Sequence, residues 1–151
     1  MLQELKVRID NYREIEEKLK NLGALFLEEI SFTDTYFNSA KGQVSKITED
    51  TTGDYQVRLQ TNNGKFNELI NEKIHDLANA KAQLTSELGI KRILKGKRRN
   101  FTYHDLKLTI NLIDGLGEFL ILTSENPQEE FVTGVLDIKN PEYITVSFDR
   151  L

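Results

Sequence analysis

Lys95, Lys97 and Arg99 stand two residues apart, as do Glu4, Lys6 and Arg8, while Glu68 and Glu72 stand four apart. A spacing of two puts side chains on one face of a β-strand, so each set forms a row of charge. Arg58 sits between Val57 and Leu59, one cation in an apolar stretch. On an open sheet each such row simply meets water. If several such strands close around a shared interior, cations from facing strands converge there, and low-dielectric walls focus their field on a polyanion. Each strand alone reads as a solvated face. The set together reads as a polar lumen whose outer, apolar faces pack on helices.

Other chemistry has little material. Cysteine is absent, which removes disulfides, thiolate nucleophiles and cysteine-based metal sites, and His75 and His104 are the only histidines. Any metal would have to use oxygen ligands. The chain has 151 residues, 38% hydrophobic and 29% charged, with a net charge of −4. That suits one domain with a real core and argues against sequence-independent binding of nucleic acid. The basic run at Lys91–Arg92 and Lys95–Arg99, followed by Phe101 and Tyr103, reads as one strand rather than a nucleic-acid patch. Gly115-Leu116-Gly117 joins two strands instead of opening a helix, so it is no dinucleotide fingerprint. No apolar run approaches the ~18 residues of a membrane span, and the charged opening residues are unlike a secretion signal. The expected compartment is the cytoplasm.

The elements that must position these residues follow from period and punctuation. Glu4–Ile9 alternates as a strand, Asn11 caps a helix with stripe Ile15, Leu19 and Leu22, and Gly23 stops it. A long extended segment runs from Ala24 to Phe37. Ser39–Gly53 is polar and without period, and reads as a loop. Tyr55–Thr61 and Lys65–Ile74 flank Asn62-Asn63-Gly64, a hairpin signal. Strands are expected at Lys95–Tyr103, Leu106–Ile113, Phe119–Thr123 and Tyr143–Phe148, with a short helix from Asn126-Pro127 towards Ile138. The opening order recurs: Asp76 caps a second helix that stops at Gly89, and Gly89 minus Gly23 is an offset of 66. This pattern predicts one domain of two similar halves, about 1–65 and 66–151. The fold class is α+β, a mainly antiparallel sheet of eight strands, closed or nearly closed into a barrel with flanking helices.

In this order the chain resembles the CYTH superfamily, the triphosphate tunnel metalloenzymes that include class IV adenylyl cyclases and thiamine or inorganic triphosphatases. The resemblance rests on Glu4-x-Lys6, Leu22-Gly23-Ala24, Asp34-Thr35-Tyr36-Phe37-Asn38, Val57-Arg58-Leu59, Lys97-x-Arg99 and Asp114-Gly115-Leu116-Gly117-Glu118-Phe119. It implies an eight-stranded tunnel whose basic residues grip a triphosphate while inward carboxylates hold Mg²⁺ or Mn²⁺. On this resemblance Lys6, Arg58, Lys97 and Arg99 are the substrate-binding residues and Glu4 and Glu72 the metal ligands. The offset of 66 sets Glu72 opposite Lys6.

The departures fall on the acids. Leu2 replaces the family's first glutamate, Asn111 its usual aspartate, and Ile121 and Thr123 a Glu-x-Glu pair. Gln56 and Gln60 stand where a second arginine would accompany Arg58. Four cations with few acids imply a surplus of positive charge and weak metal binding. The expected function is therefore binding of a nucleoside triphosphate, thiamine triphosphate or polyphosphate, with catalysis weak or lost. The alternatives are an active Mg²⁺- or Mn²⁺-dependent triphosphatase or cyclase, and an interaction module, in which a homodimer is a candidate partner.

Overall fold

A computed structural model describes the chain from Met1 to Leu151. The element order is β1 (Gln3–Ile9), α1 (Tyr12–Leu22), β2 (Leu25–Phe37), β3 (Gln43–Asp50), β4 (Gly53–Asn62), β5 (Lys65–Lys73), α2 (Leu77–Leu88), β6 (Ile90–Tyr103), β7 (Leu106–Ile113), β8 (Gly117–Ser124) and β9 (Glu142–Tyr143). The strands hydrogen-bond in the order β5-β4-β3-β2-β6-β7-β8-β1, and β1 pairs back onto β5, so eight antiparallel strands close into a barrel. The ninth, β9, adds to β1 beyond the point where β5 leaves it. No helix is long and apolar enough to cross a membrane.

Two core layers share this wall, because successive residues of a strand point to opposite faces. Outside the barrel, Leu5 and Val7 of β1, Leu108 and Ile110 of β7, and Leu120 and Leu122 of β8 pack against Ile15 and Leu19 of α1. Inside, Phe32, Val44, Leu59, Phe66, Leu94 and Phe119 are buried together and fill one end of the barrel. The chain's last segment joins them: Phe148, in the 3-10 turn Phe148–Arg150, packs its ring 4.8 Å from that of Phe119. Beside this turn Lys91 holds Asp149 at 3.1 Å. The barrel is thus blind at that end.

The caps behave as physics requires. Asn11 accepts a hydrogen bond from the Arg13 amide, and Gly23 at φ 90° ends α1. Gly96 has a different reason to be glycine. A Cβ there would stand 2.1 Å from the Leu112 carbonyl oxygen of β7. α2 lies on the outside of β2 and β3, tied by Lys81 to Glu49 at 3.0 Å and by Asn38 to the carbonyls of Leu88 and Gly89, and it buries none of its own residues.

Eight antiparallel barrel strands are as the sequence predicts, but not the same eight. Residues 43–50, expected in a loop, form β3, because Val44, Lys46, Thr48 and Asp50 share the inner face and Ser45 and Ile47 the outer. Mixed polarity on both faces hides the strand's period. Tyr143–Phe148 is no strand: β9 stops at Tyr143 and the chain turns inward as the floor of the barrel. The helix expected after Pro127 is a single π-helical turn, Phe131–Val135.

Candidate functional site

Above the apolar floor the barrel encloses a cavity of about 340 Å³ with a mouth at the other end. Its deepest cation is Lys6, 2% exposed, with its ammonium 4.1 Å from the Phe66 ring centre, 4.4 Å from that of Phe148 and 3.6 Å from a Glu4 oxygen. Burial pulls the Lys6 pKa down to about 8, against the opposing pull of Glu4.

A second group of charges meets Lys6 from β2, β3 and β6. Asp34 accepts hydrogen bonds from Arg98 at 2.8 Å, Lys46 at 3.2 Å and the Thr48 hydroxyl at 2.7 Å. Burial alone would raise the Asp34 pKa. The two cations and the hydroxyl more than offset it and hold the carboxylate below its usual range. The Arg98 guanidinium stacks 4.0 Å over the Phe32 ring. One stretch of the wall is neutral: Thr109 donates to Asn100 at 3.0 Å, and Asn111 stands next to them with its carbonyl oxygen buried and unpartnered.

Among the residues named from the sequence, Lys6 and Glu4 line this cavity. Lys97 and Arg99 do not. Leu94, Gly96, Arg98 and Asn100 share the inner face of β6, which puts Lys95, Lys97 and Arg99 outside. Arg99 is bonded there to Glu16 of α1 and Glu29 of β2, and Lys97 lies 3.8 Å from Glu29. Arg58 is corrected for the same reason: Val57 and Leu59 belong to the interior, so the residue between them is exposed on the outer surface.

Glu72 points outward through a different cause. Leu59 pairs with Glu68 but Arg58 with Ile70, so Leu69 is an extra residue, a β-bulge. Glu68 lies inward before the bulge. After it the alternation flips, and Asn71, not Glu72, lines the cavity. The bulge breaks the parity that the offset of 66 assumes.

These corrections change the charge balance. The cavity is lined by four cations (Lys6, Lys46, Arg98, Lys107) and four carboxylates (Glu4, Glu28, Asp50, Glu68), with Asp34 behind Lys46 and Arg98. The expected positive surplus is absent. Lys46 and Arg98 were missed because the cation-rich face of β6 drew attention to the wrong parity, and β3 was not read as a strand. The pairing signal was present: Asp34, an acid in an apolar and aromatic strand, needs a buried partner.

A divalent ion is tested by the same geometry. No three acidic or histidine side chains come together as a metal site, and Glu4 is engaged by Lys6. The residues do not fit a resident ion held by the protein alone.

Comparison with known proteins gives four concordant matches. The family model described as the CYTH domain matches residues 3–147. A Methanocaldococcus jannaschii protein, provisionally named an adenylate cyclase, is 29% identical over 130 residues, 79% of this chain and 74% of that protein. A Pyrococcus horikoshii protein of solved structure superposes with a TM-score of 0.88 at 21% identity, covering 100% of this chain and 99% of that one. A Hippeastrum protein, provisionally named an adenylyl cyclase and described as having a dominant triphosphatase activity, superposes with a TM-score of 0.65 at 15% identity, covering 98% and 93%. At these identities the two structures speak for the fold.

Proposed function

We propose that this chain, which belongs to the CYTH domain family, holds a triphosphate-bearing ligand in its barrel, gripped by Lys6, Lys46 and Arg98, with catalysis weak or lost. The observation that carries the reading is the convergence of these three cations from β1, β3 and β6 on one blind cavity. Arg98 presents a planar fork suited to phosphoryl oxygens, and Lys46 and Lys6 supply point charges. Asp34 holds Arg98 and Lys46 in place before the ligand arrives, which lowers the ordering cost of binding.

Catalysis on a triphosphate needs charge neutralisation and in-line placement of the attacking oxygen. The wall carries no converging acids to hold Mg²⁺ or Mn²⁺ unaided. Any such ion would come with the ligand's own phosphates, and its binding in the absence of ligand is weak. The alternative, an active triphosphatase or cyclase, is favoured by the likeness to the Hippeastrum protein.

The test is thermal unfolding with tripolyphosphate, ATP or thiamine triphosphate, each with Mg²⁺, Mn²⁺ or EDTA, together with an assay of phosphate release. A ligand at 100 times its dissociation constant adds about 2.7 kcal/mol, a shift of several degrees. Arg98→Ala should abolish the shift and Lys97→Ala should leave it intact. No shift with any ligand would overturn the reading and leave an interaction module. Fast phosphate release with metal would replace the binder by the enzyme.

A further inference from the structure

The floor of the cavity is made by the chain's last segment, and what fastens that segment lies beyond the cavity. The Ile144 amide donates to the Lys6 carbonyl at 2.9 Å, and after it the turn closes on itself, Arg150 to Ser147 and Leu151 to Phe148. Side chains tie the turn down. Asp149 accepts a hydrogen bond from the Ser147 hydroxyl and lies 3.1 Å from the Lys91 ammonium, its own side chain 5% exposed and that of Lys91 34%. Arg92 donates to the Leu151 carbonyl at 2.9 Å. Lys91 and Arg92 stand at the start of β6, and neither they nor Asp149 line the cavity.

Of this segment only Phe148 lines the cavity. Its ring stands 4.4 Å from the Lys6 ammonium, with Phe66 at 4.1 Å from the same ammonium and Phe119 backing Phe148 at 4.8 Å. Around this ammonium β1 contributes Glu4, β2 Asp34 and β3 Lys46, whereas β5 and the turn contribute only rings. A ring face attracts a cation most strongly where water is excluded. Phe148 therefore acts on Lys6 in two opposed ways. Its face favours the ammonium, while its bulk keeps out the water that would favour the ammonium further.

We propose that Phe148 is a positioning residue for Lys6, and that the Lys91–Asp149 pair is the latch that seats it. The charge at the bottom of the cavity is then set by a contact outside the cavity. The consequence for anion affinity rests on the proposed phosphate site; the consequence for Lys6 itself belongs to the ligand-free protein and does not.

The experiment follows the Lys6 titration by NMR on protein carrying isotopically labelled lysine, the Lys6 signal being assigned by its loss in Lys6→Gln. In the parent the midpoint should lie at about 8. Phe148→Leu fills the floor without a ring face and should lower the midpoint by about one pH unit. Lys91→Ala strands the Asp149 carboxylate, unseats the turn and admits water, so the midpoint should rise towards 10.5. Neither Lys91 nor Asp149 is among the charges acting on Lys6, so that rise is transmitted by the turn. Each variant is confirmed folded by its thermal transition, and Phe148→Met replaces Phe148→Leu if the latter does not fold. A midpoint that stays in place in either variant, whatever the loss of stability, overturns the inference and leaves Phe148 a packing residue. Against tripolyphosphate in EDTA, Phe148→Leu should bind about fivefold more weakly than the parent at pH 8 and equally well at pH 6. If the midpoints move as expected but the parent binds tripolyphosphate neither in EDTA nor with Mg²⁺, the latch stands and the phosphate reading falls.

Discussion

Arg98 and Arg99 are neighbours on one strand, about equally exposed at 18% and 23%, and each guanidinium stacks on a phenylalanine, Phe32 inside and Phe26 outside. They differ in their partners. Arg98 faces a single carboxylate that is 3% exposed and shared with Lys46, whereas Arg99 spans Glu16 and Glu29, at 20% and 38%. The inner set cannot turn to water for compensation, and the outer set can. The same side chain is therefore part of the cavity wall, and of the proposed ligand cradle, on one face and a strut between α1 and the barrel on the other.

The sharpest way to break this contrast is Asp34→Ala, which strands Arg98 and Lys46 in the interior. Removing one partner of a buried pair should cost about 3–5 kcal/mol, read from urea unfolding midpoints. Inside the barrel Lys6 gives a pH signature that the outer cations lack. With its pKa at about 8 against 10.5 unfolded, the unfolded chain binds that proton more tightly, so stability should rise from pH 8 towards 10.5. Affinity for an anion should fall over the same interval as the ammonium is lost. Subtracting the Lys6→Gln variant isolates both slopes, and flat difference curves would contradict the burial of a charged lysine. On the outer face, Arg99→Ala should cost about 1 kcal/mol or less, as partly solvated pairs do, and leave ligand affinity unchanged. The smallest effect is expected of Lys97→Ala, at 58% side-chain exposure, whose stability should stay within about 0.5 kcal/mol of the parent.

What the sequence conveyed, and what it withheld, follows from the same wall. The capped helix α1, the hairpin at Asn62-Asn63-Gly64 and the closed antiparallel barrel were legible because caps, turns and alternation act locally. The inward face of several strands was not legible. In an ordinary sheet the apolar side is the buried one, but here α1 buries the outer face of β1, β7 and β8 while the floor buries the inner face of others. Both parities of β6 carry cations, and only its register against Ile30 and Asn111 decides between Arg98 and Arg99. At Glu72 a single bulged residue, Leu69, moved the answer by one position. Lys6 and Glu4 were recoverable because β1 has neither complication.

Phe148 and the aromatic floor beneath Lys6 have a consequence for traffic. A barrel open at both ends would let a long chain thread through and be handled at any internal unit. With one end stoppered, whatever enters the mouth must back out through it before the next molecule can enter. Only the terminus of a long polymer could reach the cations, so occupancy would count chain ends rather than phosphate units.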